Sequence, residues 1–172
     1  MAAKASRAAR ARRELLLVFT DLTRFTALAA RLDDGALAKL VDQLYERLHA
    51  AVTGAGGQVV KFIGDAMLAV FEPARADAAV TALLQEKRAV DAWFQGRKME
   101  CRLHVKVHLG KVIAGPFGGR GDKRFDVIGK EVNACARLPN PGFSLSAPAF
   151  RALSAKGQAA FKQQAPVVYF QD

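Results

Sequence analysis

The chain is poor in cysteine, in histidine and in long apolar runs, and each scarcity closes off a class of function. Its two cysteines, Cys101 and Cys135, form no C-x-x-C pair and no other metal-ligand spacing. Each lies in an apolar stretch, which predicts a buried, reduced thiol and favours a reducing compartment. The three histidines, His49, His104 and His108, are scattered. His104 and His108 share one strand, and neither metal binding nor acid–base chemistry is expected of them. No apolar run approaches the ~20 residues of a membrane span. The N-terminus lacks the apolar segment of a signal peptide, so the expected location is the cytoplasm. There is no internal repeat, no linker that would divide the chain, and no low-complexity tract beyond an N-terminal Ala/Arg segment.

What is present is a globular composition. Of 172 residues, 51% are hydrophobic and 24% charged, enough for one domain that buries roughly 70% of its unfolded surface. The net charge of +10 predicts an anionic partner; nucleic acid, a membrane surface and a nucleoside triphosphate would all suit. Nucleic acid would want exposed aromatics among the cations of a sheet face, whereas the strands here are mostly aliphatic, so it is not expected. Part of the excess charge lies in residues 1–13, where Lys4, Arg7, Arg10, Arg12 and Arg13 sit among alanines. This segment is expected to be flexible or helical, as a solvated end, an arm for phosphates or a partner, or a lead-in from an upstream module.

Local patterning supplies the elements. Residues 14–20, ELLLVFT, read as a buried strand. A helix follows within DLTRFTALAARLDD, with Thr23 or Thr26 available as its cap. From Asp34 to Thr53, Leu37, Leu40, Val41, Leu44, Leu48 and Val52 recur at helical spacing until GAGG stops them. A hairpin spans 58–62 and 66–71. Pro73 opens another helix, with Val80, Leu83, Leu84, Val90, Trp93 and Phe94 as its inward stripe. Strands are predicted over 101–109 and 111–117, then a polar loop GGRGDKR, a short strand FDVI, a helix over 130–138, a small helix near 147–153 and a final strand VVYF. Helices separated by strand pairs indicate an α+β domain over 14–172 with a ferredoxin-like βαββαβ core and further C-terminal strands and helices.

Two carboxylates stand at comparable places: Asp21 just beyond the first strand, and Asp65 in the hairpin turn. In such a core the first strand lies beside the hairpin, so the two could meet at one edge. Paired hard oxygens on short loops suit Mg²⁺ or Mn²⁺, and two ions there could clamp an in-line displacement at phosphorus.

Four stretches, VFTDLTRFTAL, GGQVVKFIGDAMLAVF, VHLGKVIAG and RFDVIGKEVNACARL, occur in this order with sensible gaps. Together they resemble the class III nucleotidyl cyclase catalytic domain, whose pattern runs F-x-D-[IL]-x-x-F-T, K-x-x-G-D, H-x-G-x-V-x-G and D-x-x-G-x-x-V-N-x-A-x-R. The resemblance covers Glu14 to Leu138. It implies that Asp21 and Asp65 hold two Mg²⁺ or Mn²⁺ ions per site, with Leu22 lending a backbone carbonyl. The amides around Arg24, Phe25 and Thr26 would face a triphosphate. Asn133 and Arg137 would orient the ribose and stabilise charge building on the α-phosphate, and their spacing of four puts both on one helix face. Lys61 and Asp126 would read the base. A lysine and an aspartate offer one donor and one acceptor, which matches adenine and opposes guanine; cytosine has the same polarity, so CTP is excluded only by size. The resemblance further implies a head-to-tail homodimer with each site shared between subunits, and all six positions are filled in this one chain. His108 fits the family's strand histidine, a structural residue.

The expected activity is therefore conversion of ATP to cyclic AMP and pyrophosphate. A lost metal aspartate or arginine would mark a catalytically silent fold kept for binding or dimerisation, and neither is lost. Departures from the family pattern are Lys106 where glycine is usual, GPFG in place of G-N-[IV]-G, and Lys130 where Asp or Asn is typical. Arg120 and Lys162 are candidates for triphosphate contacts. No sensor segment is visible, so regulation is expected from a partner, an upstream domain or dimerisation itself.

Overall fold

Strand β1 (Ala11–Leu22) runs through the middle of the molecule and, from Leu15 on, is buried on both faces. Alternation sends Leu16 and Val18 to one side and Leu15 and Leu17 to the other, which is why its sequence is a continuous apolar run. The computed structural model, which describes residues 9–139, 142–164 and 168–171, places β1 antiparallel to two neighbours. One is β3 (Ala66–Phe71), with β2 (Gln58–Ile63) outside it; the other is the long strand β4 (Leu103–Gly119). The resulting order, β2-β3-β1-β4, is that of the expected ferredoxin-like core. Beyond β4 lie β6 (Phe143–Ser146), parallel to it, then β8 (Val168–Gln171) and β7 (Lys162–Gln164). Strand β5 (Asp122–Ile128) folds back along the far half of β4.

Helices cover the two faces unequally. After the short α1 (Phe25–Ala29), the long α2 (Asp34–Gly54) starts at Asp33, whose Oδ1 accepts from the Ala36 amide at 2.9 Å. Leu40, Leu44, Leu48 and Val52 then recur every four residues and are all buried. A 3₁₀ turn (Pro73–Arg75) leads into α3 (Ala76–Gly96), which buries Val80, Leu83, Val90 and Phe94 against the same sheet face. Among the described residues, the helix on the other face is α4 (Lys130–Ala136), whose Cys135 packs with Leu15, Leu17, Leu68, Val70, Val112, Ala114 and Val127. Two small helices, α5 (Ala147–Arg151) and α6 (Ala155–Gln158), follow. Both cysteines are free and buried, as expected. No helix of the described residues is long and apolar enough to cross a membrane.

Several boundaries differ from the sequence reading. Residues 1–8 lie outside the described residues, but Ala11–Arg13 are strand, paired with Ala114, Ile113 and Val112 rather than part of a free basic end. Arg10 just before them donates to the Pro116 carbonyl at 3.0 Å and stacks over Phe117. The two strands expected over 101–109 and 111–117 are one. Gly110 reads as a break, yet it stands where α4 comes closest, and a Cβ there would lie 2.7 Å from Cβ of Glu131. The polar loop GGRGDKR is mostly β-hairpin, with Arg120 and Gly121 at its turn. Neither Thr23 nor Thr26 caps α1; the cap position is Arg24, in the left-handed region at φ 57°. Helix α4 ends at Ala136, before the predicted 138, and the first valine of VVYF, Val167, falls outside the described residues.

Candidate active site

The hairpin turn between β2 and β3 is built to hold Asp65 still. Gly64 adopts φ 60°, where a glycine has no Cβ to clash. Tyr45 of α2 donates its hydroxyl to the Gly64 carbonyl and stacks on Phe62 with ring centroids 3.9 Å apart. Burial, and secondarily the charge of Asp65, raise the Tyr45 phenol above its ordinary pKa. Held in this way, Asp65 meets the end of β1, where its Oδ2 accepts from the Leu22 amide at 3.0 Å. Asp65, Leu22 and Asp21 therefore share one corner of the sheet, as the sequence reading expected.

Lys61 reaches its place through a register shift. Val59 pairs with Ala69 and Lys61 with Leu68, so Val60 is an extra residue in β2. Val59 packs with the α2/α3 core and Val60 with the α4-side cluster. The bulge brings Lys61 opposite Leu68, a member of that second cluster; without it, Lys61 would share the face of Val59. The sheet curls so that β2 and β5 touch although they are not neighbours in it. There the Lys61 ammonium lies 2.7 Å from Asp126 Oδ2, while Asp126 Oδ1 accepts from the Val127 amide at 2.8 Å. The two residues expected to read a base are thus brought together within one chain and satisfy each other.

Asn133 on α4 and Arg137 at its C-terminal cap stand one turn apart, the Arg137 amide donating to the Asn133 carbonyl at 3.1 Å. Both are exposed, and neither side chain has a partner among the described residues. At the start of α1, Arg24 pairs with Glu100, Phe25 packs against the main core, and Thr26 is exposed. Arg120 and Lys162 are not brought to this corner. From His104, which faces Asp21, β4 runs on to Gly119; at ~3.3 Å per residue, Arg120 lies tens of ångströms from its own chain's Asp21. Lys162 opens β7, at the opposite edge of the sheet from the hairpin.

Two residues that the sequence reading left outside the site flank Asp21. His104 Nδ1 lies 3.4 Å from its Oδ1, and Lys106 Nζ lies 3.4 Å from its Oδ2. Burial chiefly pushes the His104 pKa down; Asp21 opposes that shift, while Lys87 and Lys106 add to it. Lys106 also donates to the Ala136 carbonyl at 2.9 Å. The signal for both was their alternation along β4, but it needed the β1–β4 register to be read. His108, by contrast, is structural as expected. It is buried between Ser146 Oγ, 2.8 Å from Nδ1, and Glu131 Oε2, 2.7 Å from Nε2.

Two carboxylates on one corner form a hard-oxygen set. That set fits Mg²⁺ or Mn²⁺, which take one or two carboxylates and leave other positions to water and substrate phosphate. No cluster of three or more His, Cys, Asp or Glu able to hold a metal occurs among the described residues, so a closed four-ligand site is not what this corner offers.

Comparison with known proteins places this geometry in a family. Residues 8–148 match the model of the adenylate and guanylate cyclase catalytic domain. An adenylate cyclase of Anabaena cylindrica is 25% identical over 134 residues, covering 73% of this chain and 27% of that protein. An uncharacterised protein of Mycobacterium tuberculosis is 32% identical over 127 residues, covering 73% of this chain and 22% of its own. The chain thus spans about a quarter of the length of these relatives. Among solved structures, a bacterial light-regulated adenylyl cyclase superposes with a TM-score of 0.82 at 23% identity, covering 95% of this chain and 52% of that one. The guanylyl cyclase Cya2 superposes with a TM-score of 0.79 at 19% identity, covering 94% and 93%. These likenesses establish the fold and leave the nucleotide open. The family match runs through β1, the hairpin, β4, β5 and α4, and on it the chain belongs to the adenylate and guanylate cyclase catalytic domain family.

Proposed function

We propose that the chain is an adenylyl cyclase, which joins the ribose 3′-oxygen of ATP to the α-phosphorus and releases pyrophosphate, at sites shared between two copies. The observation that carries this reading is the Lys61–Asp126 pair at 2.7 Å. One donor and one acceptor stand side by side, and a planar base edge that parted them would meet both. Lys61 would donate to adenine N1 and Asp126 would accept from its N6 amine. Guanine presents the opposite donor and acceptor order, so neither group would find its partner on that base. Asp21 and Asp65 would hold divalent ions, whose charge offsets that of the triphosphate and favours ionisation of the 3′-hydroxyl. Exposed Asn133 and Arg137 would act on the substrate held by the other copy, Asn133 orienting the ribose. Arg137 would set its fork of donors against the charge growing on the α-phosphate. The adenylate cyclase of Anabaena cylindrica among the relatives supports the choice of nucleotide; the guanylyl cyclase among the structures does not.

The test is direct. The purified chain is incubated with Mn²⁺ and ATP, GTP, CTP or UTP, at concentrations high enough to form dimers, and the products are separated by chromatography. Cyclic AMP from ATP alone is expected, with a fall of more than about 10³-fold in Asp65→Ala, as when a group acting only in the transition state is removed. Cyclic GMP as the main product would overturn the roles of Lys61 and Asp126, and cyclic CMP would show that size does not exclude the smaller base. No product from any nucleotide would sink the enzymatic reading.

A further inference from the structure

Lys106 projects from β4 on the α4 side of the sheet, across from Phe19 of β1 and Ser144 of β6. Its side chain is only 13% exposed. Holding an ammonium in such a place is unfavourable unless it is paired and hydrogen-bonded, and Lys106 has one partner of each kind. The Asp21 carboxylate lies at 3.4 Å and the Ala136 carbonyl, at the end of α4, at 2.9 Å. Asp65, the other carboxylate of the corner, is met by a backbone amide instead of a cation. The two expected metal aspartates therefore differ. Among the described residues, one has a cation beside it and the other does not.

A divalent ion on Asp21 would sit within a few ångströms of that ammonium, and like charges repel strongly where water is partly excluded. We propose that Lys106 is a positioning residue, the built-in counter-ion of Asp21, which competes with an arriving metal for that carboxylate and so weakens divalent-ion binding there. The proposal rests on the cyclase reading above, which makes Asp21 and Asp65 the metal ligands. Its geometry also ties Asp21 to the last turn of the helix that bears Asn133, so the ammonium left by an arriving ion keeps its bond to Ala136. A lysine present only to support the fold would behave oppositely on removal, loosening the corner and lowering metal affinity.

Mn²⁺ alone is the probe, titrated without nucleotide and followed by water-proton relaxation, so that the readout is occupancy rather than turnover. Lys106→Met keeps the aliphatic stem and removes the charge; it is expected to bind Mn²⁺ about tenfold more tightly than the parent, while Lys106→Arg stays within about twofold of it. Equal or weaker binding by Lys106→Met overturns the proposal. If the Met variant fails to fold, as judged by circular dichroism, Lys106→Gln removes the charge while keeping a donor for Ala136, and the same tightening is expected. Asp65→Asn separates the two levels. Its loss of Mn²⁺ binding supports the metal corner itself, whereas binding as tight as the parent's overturns that corner and the role of Lys106 with it.

Discussion

The two faces of the central sheet are built to different ends. Under α2 and α3 the buried residues are aliphatic and aromatic almost without exception, from Leu16 and Val18 through Leu44, Leu48, Leu83 and Phe94. Under α4 the apolar cluster is small, and it is bordered by Asp21, His104, Lys106, His108 and Glu131. Apolar burial at about 25 cal/mol per Å² makes the first face the source of stability. The second gives up such burial to hold charged groups in fixed positions, with Asp21, Lys106, His108 and Glu131 each paired to a neighbour. The difference teaches that β1 is shared: one strand contributes Leu16 to the apolar face and Asp21 to the face of the proposed site.

The sharpest way to break this division is Phe94→Ala. Phe94, on the inward side of α3, is fully buried in the main core cluster. The substitution is expected to lower unfolding free energy by about 3–5 kcal/mol, from lost transfer energy and the cavity left behind. Urea denaturation reads that loss, and the proposed cyclase activity, per folded molecule, should stay close to the parent's. A small stability change with a large loss of activity would show that the two faces are not separate.

Much of this arrangement was legible in the sequence, and the illegible parts have physical reasons. The strand–helix order followed from periodicity, and the four motifs brought Asp21, Asp65, Lys61, Asp126, Asn133 and Arg137 into view. Asp65 meeting Leu22, and Lys61 meeting Asp126, are contacts the structure supplies. What periodicity could not supply was register. Whether Lys106 faces Asp21 or the opposite side depends on Asp21 pairing with His104, and a slip of one residue would reverse it. Gly110 reads as a break and Gly118 and Gly119 as loop in a list of residues, yet long-range pairing with β1 and β5 keeps them in strand. Arg24 at φ 57° is an uncommon conformation for a residue with a Cβ, so a threonine cap was the natural expectation.

A smaller effect sharpens the comparison from the α4 side. Glu131 holds His108, and His108 holds Ser146, which in turn accepts from the Ala149 amide at the start of α5. Glu131→Gln is expected to cost about 1–3 kcal/mol, the range for a buried bond to a charged group. In a double-mutant cycle with His108→Gln, the coupling should exceed about 0.5 kcal/mol, as for residues in direct contact. Additive losses would mean that α4 is held by its apolar contacts alone, and the contrast between the faces would weaken.

The smallest expected effect uses the two cysteines, one on each face. Burial pushes the Cys135 thiol beneath α4 up from 9.0 to about 12, opposed by hydrogen bonds to backbone and by the charge of Lys106. Burial also raises Cys101, in the α2/α3 core, with Asp65 and Glu100 adding and Arg102 opposing. In both, the folded state holds its proton after the unfolded chain has begun to release it. The stability this contributes is fully present below pH 9 and is lost as pH rises through the window toward the folded pKa. The parent should therefore lose Tm as the pH rises above 9, and Cys135→Ala should lose less over the same range. Cys101→Ala should act in the same direction and more weakly, because only Cys135 is pushed as far as about 12. If Cys101→Ala flattens the alkaline profile more than Cys135→Ala, the α4 face is the more hydrated of the two in solution. Water would then reach the corner of Asp21 and Lys106 more freely than its burial indicates, and the repulsion expected between Lys106 and a bound metal would shrink accordingly.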